Sequence, residues 1–574
     1  MFQKIAPYVP RTLSINSFHN HKDLLRKGSS KVVQINLAET VRFYQFPSSP
    51  EQSYPIKLIK LLRRIKGLKR LSFDQNILNK CRFKLSTMMS LRKKVRRIQE
   101  LTVNEFWTPG LFFRTRLNVW MKSIKNLRKV TFKLEIFRKD VYQKNSFSNR
   151  MKSFLKTLKY QNQMKSLKIQ LPQEVSFANP IFLQFSKYPQ SLQNLQLLFR
   201  TQSLYATEVK PPCLSLSCLK NLKTFALKIT DDHEIVRHLV DTLPSLPHLK
   251  SLGVILPTSF VIPKPNQLYG PHCHDLDSQV FSSLRDLSLT VPSEYLQTPL
   301  LAKLNLSNLE SLHLSFRLLI SSKYKATLSN LSKIKRLKNL KLAITYLIHL
   351  EELTKALFES LVDLEMLTSL KIFLVTSDSN RFKDDISSDA LPALKKIFQK
   401  SARMEKFSLE CKELVISLEF FELMEIFSGA SASNLKKFKL DTVPFAIGEK
   451  KIEALAGFVK SLENVRTLKI PCFDIDSNEL LASLVSGIMK SKAMRSICLG
   501  KIGWKVKERN FIENIESILE KRGLQILKCE LTDDFKKRLG SVGSPLSFEK
   551  ISKKNPLLKF VGENTWGMFK ENNW

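Results

Sequence analysis

Apolar positions recur along this chain in one phrase: a leucine, two variable residues, a second leucine, one variable residue and a third apolar residue. Three copies stand close together near the middle. They fix Leu284, Leu287 and Leu289, then Leu309, Leu312 and Leu314, then Leu337, Leu340 and Leu342. The alternation over the last four positions predicts a short strand with one apolar face. A strand of that length cannot bury its apolar side alone, so recurrence predicts stacked copies that share one core.

Further copies begin at Leu68, Ile98, Leu127, Met164, Leu192, Leu222 and Leu249 before the central three. Others begin at Leu367, Met404, Leu435, Val465, Met494 and Leu524 after them, which makes sixteen. Between strands the period changes to that of a helix. In 451–465, Ile452, Leu455, Ala456, Val459 and Leu462 share one helical face, and 233–246 and 478–491 behave alike. Each unit thus reads as strand, turn, helix and return to a parallel strand.

On these repeats the chain resembles the leucine-rich repeat superfamily, in its longer ribonuclease-inhibitor-like form with irregular repeats. The resemblance implies an α/β fold, a leucine-rich-repeat solenoid with a curved parallel sheet on the concave face and helices on the convex face. That family places Asn or Cys three residues after the third apolar position. Here Asn76 fits, but Pro257, Pro292, Thr345, Lys412 and Phe473 stand at equivalent places, which implies uneven turns.

The repeats divide the sequence into three. Residues 56–539 form the solenoid of about sixteen repeats. Residues 1–55 read as a basic N-terminal arm or a degenerate capping repeat, with 31–46 alternating like strands and Pro- and Ser-rich 47–55 as a turn. Residues 540–574, which carry Trp566, Phe569 and Trp574, read as a C-terminal cap or tail. Inserts at 257–279 and 375–390 would be surface loops, where repeat proteins often bind.

Charge changes the picture. The chain has 93 Lys+Arg and 51 Asp+Glu, a formal net charge of +42. Residues 1–170 hold 38 of the basic and 8 of the acidic residues, a surplus of 30. A field of that sign attracts polyanions and acidic protein faces. Within it, 57–71 and 91–101 are basic and amphipathic, and Arg63, Arg64, Lys69, Arg96 and Arg97 are the candidate polyanion-binding residues.

The second candidate site follows from strand alternation. The residue between the second and third apolar positions points away from the core. Lysine holds it in six copies, Lys168 and then Lys341, Lys371, Lys439, Lys469 and Lys528, and the last five are the candidate partner-binding residues. The residue after the first leucine is basic in ten copies, Arg285, Lys338, Lys436, Arg466 and Arg495 among them. Adjacent strands would align these into ladders of like charge, which cost stability unless solvent or a partner offsets them.

Catalytic chemistry has no foothold in the pattern. There is no phosphate-binding glycine loop, no HExxH and no GxSxG, and acidic pairs such as Asp231–Asp232 have no converging His or Cys. The eight cysteines are scattered and contain no CxxC, so neither a disulfide framework nor a zinc site is expected. His272, Cys273 and His274 sit side by side in a loop without a second ligand pair. The sequence therefore reads as a non-enzyme without catalytic residues, metal or cofactor. It is expected to be a protein-interaction scaffold that binds a partner, one with an acidic face, through its concave face and insert loops. The alternative is a basic RNA-associated subunit of a ribonucleoprotein assembly.

Scattered cysteines fit a reducing compartment, cytoplasmic or nuclear. The basic first 22 residues, free of acid, leave a mitochondrial address open despite Pro7 and Pro10. No apolar run is long enough for a transmembrane helix, and nothing fixes an oligomeric state.

Overall fold

The leucines of successive repeats lie opposite one another in parallel strands. This arrangement is seen in a computed structural model that describes residues 12–15, 40–43, 69–73, 98–107, 124–136, 144–171, 184–199, 216–228, 246–255, 283–292, 306–318, 328, 331–346, 350–376, 385–386, 390–400, 403–412, 415–416, 434–441, 445–446, 459, 462, 464–470, 473–491, 493–503, 505–520, 526–531, 534–535 and 559–560. The chain divides into two units, Met1–Leu284 and Arg285–Trp574.

The first unit contains nine strands: β1 (Thr12–Ile15), β2 (Thr40–Phe43), β3 (Arg70–Phe73), β4 (Glu100–Trp107), β5 (Lys129–Ile136), β6 (Ser166–Leu171), β7 (Asn194–Phe199), β8 (Thr224–Lys228) and β9 (Ser251–Ile255). Each pairs in parallel with the next in chain order. The second leucine of each phrase therefore forms a row: Leu71, Leu101, Val130, Leu167, Leu195, Phe225 and Leu252. Every member of that row is buried. Helix α1 (Lys144–Lys159) covers the same face, with the Phe154 ring 5.2 Å from that of Phe132.

The second unit repeats this plan. Its strands are β10 (Asp286–Pro292), β11 (Ser311–Leu318), β12 (Asn339–Tyr346), β13 (Ser369–Thr376), β14 (Asp385–Ile386), β15 (Lys406–Lys412), β16 (Val415–Ile416), β17 (Lys437–Asp441), β18 (Phe445–Ala446), β19 (Thr467–Lys469), β20 (Phe473–Asp474), β21 (Ser496–Ile502), β22 (Ile526–Leu531) and β23 (Lys559–Phe560). The main sheet runs β10, β11, β12, β13, β15, β17, β19, β21, β22 and β23, all parallel. Two small parallel pairs, β14 with β16 and β18 with β20, form separate two-stranded sheets.

Here the row reads Leu287, Leu312, Leu340, Leu370, Phe407, Phe438, Leu468 and Ile497, all buried. Phe407 and Phe438 stack along it with centroids 5.8 Å apart. Helix α2 (Leu350–Leu361) is followed by α3 (Leu391–Lys400), whose Phe398 ring meets Phe407 edge-on at 5.0 Å. Helices therefore lie on the leucine face.

Helix α4 (Asn478–Lys490) shows why these segments coil. The Ser477 hydroxyl accepts from the Leu480 N–H at 3.1 Å, which satisfies one orphan donor. Glu479 in the first turn and Lys490 in the last suit the helix dipole. Leu480, Leu481, Leu484 and Ile488 form its buried stripe, and α5 (Glu508–Glu520) packs beside it.

A single backbone device sets the register. In strands β4 to β9, β11 to β13, β15, β17, β19 and β21, two successive N–H groups at the strand's start, the first preceding it, donate to one carbonyl of the previous repeat. Glu310 and Ser311 donate to Arg285 O at 2.8 and 2.9 Å. Lys338 and Asn339 do so to Glu310, and Thr368 and Ser369 to Lys338. With strands in parallel register and helices on the leucine face, this is an α/β leucine-rich-repeat solenoid.

The described residues also include strands in both flanking segments. In 1–55, β1 pairs with β2 and β2 with β3, and in 540–574, β23 pairs with β22. The loop bearing His272, Cys273 and His274 lies outside the described residues, as do most of 233–246 and 451–465. No helix among the described residues is long and apolar enough to cross a membrane.

Candidate partner-binding face

Parallel register turns one position per repeat into a row across the sheet. In the second unit, the position between the second and third apolar residues gives Ser288, His313, Lys341, Lys371, Ser408, Lys439, Lys469, Cys498 and Lys528, each the direct partner of the next. All five lysines expected on this face fall in that row. The side chains of Lys341, Lys371, Lys439 and Lys469 are part-buried, and Lys528 is described in its backbone alone.

Two flanking rows complete the open face. On the N-terminal side stand Asp286, Ser311, Asn339, Ser369, Lys406, Lys437 and Thr467. On the C-terminal side stand Thr290, Ser315, Ala343, Phe373, Glu410 and Asp441. Strands about 4.8 Å apart bring such neighbours side by side.

The expected ladder of like charge is not bare, because the chain supplies acid of its own. Glu410 sits diagonally between two lysines. Lys371 Nζ reaches one carboxylate oxygen at 3.0 Å and Lys439 Nζ the other at 2.9 Å. The Ser408 hydroxyl donates to the same carboxylate at 3.2 Å. Lys439 also meets Asp441 at 3.0 Å. Burial alone would push the Glu410 carboxyl up, but hydrogen bonds and charge from Lys439 and Lys371 hold it below its usual range. Burial likewise opposes charge on Lys439, and Glu410 with Asp441 reverse this and raise its pKa.

Either side of Glu410, positive charge stays in excess. Burial and then the Lys371 charge lower the Lys341 amine, and Glu410 offsets only part of this. Lys437 is lowered by loss of solvent and by Lys469, Lys371 and Lys439. His313 is held down to about 4, first by burial and then by Lys341 and Lys371. Its Nδ1 lies 3.2 Å from the Ser288 hydroxyl, and its Nε2 is buried with no hydrogen-bond partner.

The basic residues after the first leucine behave differently. Arg285 and Lys338 both bind Glu310, at 3.2 and 2.8 Å, and Lys436 binds Glu405. In the first unit Arg70, one position further along its copy, binds Glu100 at 3.1 Å. These pairs lie at the exposed strand entrance, where ion pairs contribute little.

Of the polyanion candidates, Lys69 is exposed just before β3, whereas Arg63, Arg64, Arg96 and Arg97 lie outside the described residues. Sequence reading missed His313, Lys437, Glu410 and Asp441. The last two were findable, since both directly follow the third apolar residue and alternation returns them to the open face. Among the described residues, no three His, Cys, Asp or Glu side chains gather as a metal site.

No family model and no curated protein matches the chain. Among solved structures it is similar to the crystal structure of a TLR13–ssRNA13 complex, at 14% identity and a TM-score of 0.33. That match covers 94% of this chain and 63% of the other, so the chain spans less than two thirds of that neighbour. A Bacteroides fragilis protein of structural-genomics origin is similar at 10% identity and a TM-score of 0.24, covering 72% of this chain and 77% of that one.

Proposed function

We propose that the protein is a non-catalytic binding scaffold, and that the open face from His313 to Lys469 takes an acidic segment of a protein partner. One observation carries this reading. On both sides of Glu410 lysines crowd in register: Lys341 is paired with Lys371 on one side and Lys439 with Lys469 on the other, with Lys406 and Lys437 paired in the row beside them. An anionic partner would relieve that crowding.

Glu410 and Asp441 favour discrete acidic side chains over a nucleic-acid strand. Both stand inside the lysine field. A phosphate backbone carries charge at every step and would pass over them, whereas an acidic segment can place its carboxylates to either side.

Calorimetric titration of the full chain with polyglutamate at ~50 mM salt, where surface electrostatics are strongest, tests this. Binding that falls with added salt and is lost in Lys341→Gln/Lys437→Gln/Lys469→Gln supports it. A triple variant that binds like wild type overturns it.

A second reading, an RNA-associated subunit, rests on the surplus of 30 basic residues within 1–170. Single-stranded RNA in the same titration separates the two. RNA binding lost on replacing Arg63, Arg64, Arg96 and Arg97 by Gln, with the open-face lysines intact, would favour the second.

A further inference from the structure

We infer that Lys406, Lys437 and Lys469, with the Ser369 and Thr467 hydroxyls beside them, form a subsite for one phosphate dianion, carried by a phosphorylated serine or threonine of the bound acidic segment. This rests on the proposed acidic partner and says which of its side chains that end of the face reads.

The subsite follows from register. Along the N-terminal row, Ser369, Lys406, Lys437 and Thr467 are direct partners on β13, β15, β17 and β19. Two lysines thus stand about 4.8 Å apart at the backbone, with a hydroxyl residue at each end. Lys469 stands in the next row, two residues beyond Thr467 and on the same face of β19. After loss of solvent, the Lys469 charge is the main influence lowering the Lys437 amine, which places the two charges close together. Lys406 and Lys437 are exposed, and Ser369, Thr467 and Lys469 are part-buried. An anion lying on the sheet meets these donors from solvent and needs no cavity.

The cluster differs from the rest of the face in having no carboxylate of its own. Glu410 is shared by Lys371 and Lys439, and Asp441 is bound by Lys439. Glu405, the residue before Lys406, is held by Lys436 at the strand entrance. Among the described residues, no ion pair reaches Lys406, Lys437 or Lys469, and no hydrogen bond takes the Ser369 or Thr467 hydroxyl.

The donor set selects the ligand. A phosphate monoester is close to a dianion at pH 7 and offers three acceptor oxygens, against one charge and two oxygens for a carboxylate. Three ammonium groups and two hydroxyls suit the phosphate. Each phosphate of a nucleic-acid strand is a diester with a single charge, and the strand would bring others across Glu410 and Asp441. One phosphate within an acidic segment avoids both.

The test is calorimetric titration of the full chain at pH 7 and ~50 mM salt. The probe is a pentapeptide with phosphoserine between two pairs of glutamates. Hexaglutamate is the control, since one phosphoserine carries about the charge of two carboxylates. Wild type is expected to bind the phosphopeptide about tenfold more tightly, the scale of one charge-assisted hydrogen bond. Lys406→Gln/Lys437→Gln should erase that preference, and Ser369→Ala/Thr467→Val, which changes no charge, should reduce it several-fold. Wild type that binds both peptides alike overturns the subsite, even where a variant fails to fold, and leaves the acidic-partner reading standing. So does a preference that survives Lys406→Gln/Lys437→Gln. A six-nucleotide single-stranded RNA bound more tightly than the phosphopeptide, and through the same two lysines, overturns the phosphorylated segment as the occupant. Wild type that ignores both peptides overturns both readings.

Discussion

The two units bury the same kind of residue and expose different ones. In the first, the row that faces away from the helices reads Ser72, Thr102, Thr131, Lys168, Gln196, Ala226 and Gly253. In the second, the equivalent row reads Ser288, His313, Lys341, Lys371, Ser408, Lys439 and Lys469. The residues inside must fill a core at close packing, so they converge on Leu, Ile, Val and Phe. Those on the open face answer to solvent and partners and are free to diverge. The segment with the largest charge surplus, 1–170, places little of it on this row, which begins Ser14 and Arg42 before Ser72 and holds Arg42 and Lys168 as its cations as far as Gly253. Net charge and charged face are separate properties of this chain.

The common interior gives the largest expected effect. Leu195→Ala in the first unit and Leu312→Ala in the second remove fully buried leucines from equivalent rows. Each should cost about 2–5 kcal/mol, read by urea denaturation. A loss confined to one unit would break the likeness.

Removing Glu410 should sharpen the difference. Glu410→Gln leaves Lys371 and Lys439 without their shared carboxylate. Stability should fall by about 1–3 kcal/mol, the penalty for a charged group left without its partner. Hexaglutamate should meanwhile bind several-fold tighter, because an internal competitor is gone. Lower affinity in that variant would mean that Glu410 contacts the partner rather than repelling it.

Acid titration adds a third handle. The Glu410 carboxyl is held below its unfolded value, so its contribution to stability is complete above that value, about 4.3 for a free glutamate. It disappears as pH falls through the lower folded value. The stability gap between wild type and Glu410→Gln, measured by thermal melts across pH, should thus be constant near neutrality and close below about pH 4. A gap that persists in strong acid would assign the loss to packing instead.

The smallest effect belongs to the first unit's face. Lys168→Ala should shift stability by no more than about 0.5 kcal/mol and leave hexaglutamate affinity unchanged. A clear drop in affinity would extend the site into the first unit.

Legibility followed the period of the sequence. The repeat phrase and its alternation predicted parallel strands with Leu312 inside, and Leu312 is 1% exposed. The same alternation placed Lys341, Lys371, Lys439 and Lys469 in one row, because a two-residue period settles which face a side chain takes. Glu310 was visible as an interruption in the basic residues that follow the first leucine, yet nothing local shows that it joins Arg285 and Lys338 across neighbouring repeats.

By itself, then, the sequence determined which residues are interior and which strand positions are open, since both follow from periodicity along a single repeat. Only the tertiary structure decided which open positions meet. Lys371, Glu410 and Lys439 belong to three different repeats and lie 39 and 29 residues apart in the chain. Their shared contact depends on the register between strands, and so does the place of His313 between Ser288 and Lys341. Register is a property of neighbouring repeats packed together, and electrostatic coupling at 3 Å exists only once that packing has brought the charges side by side.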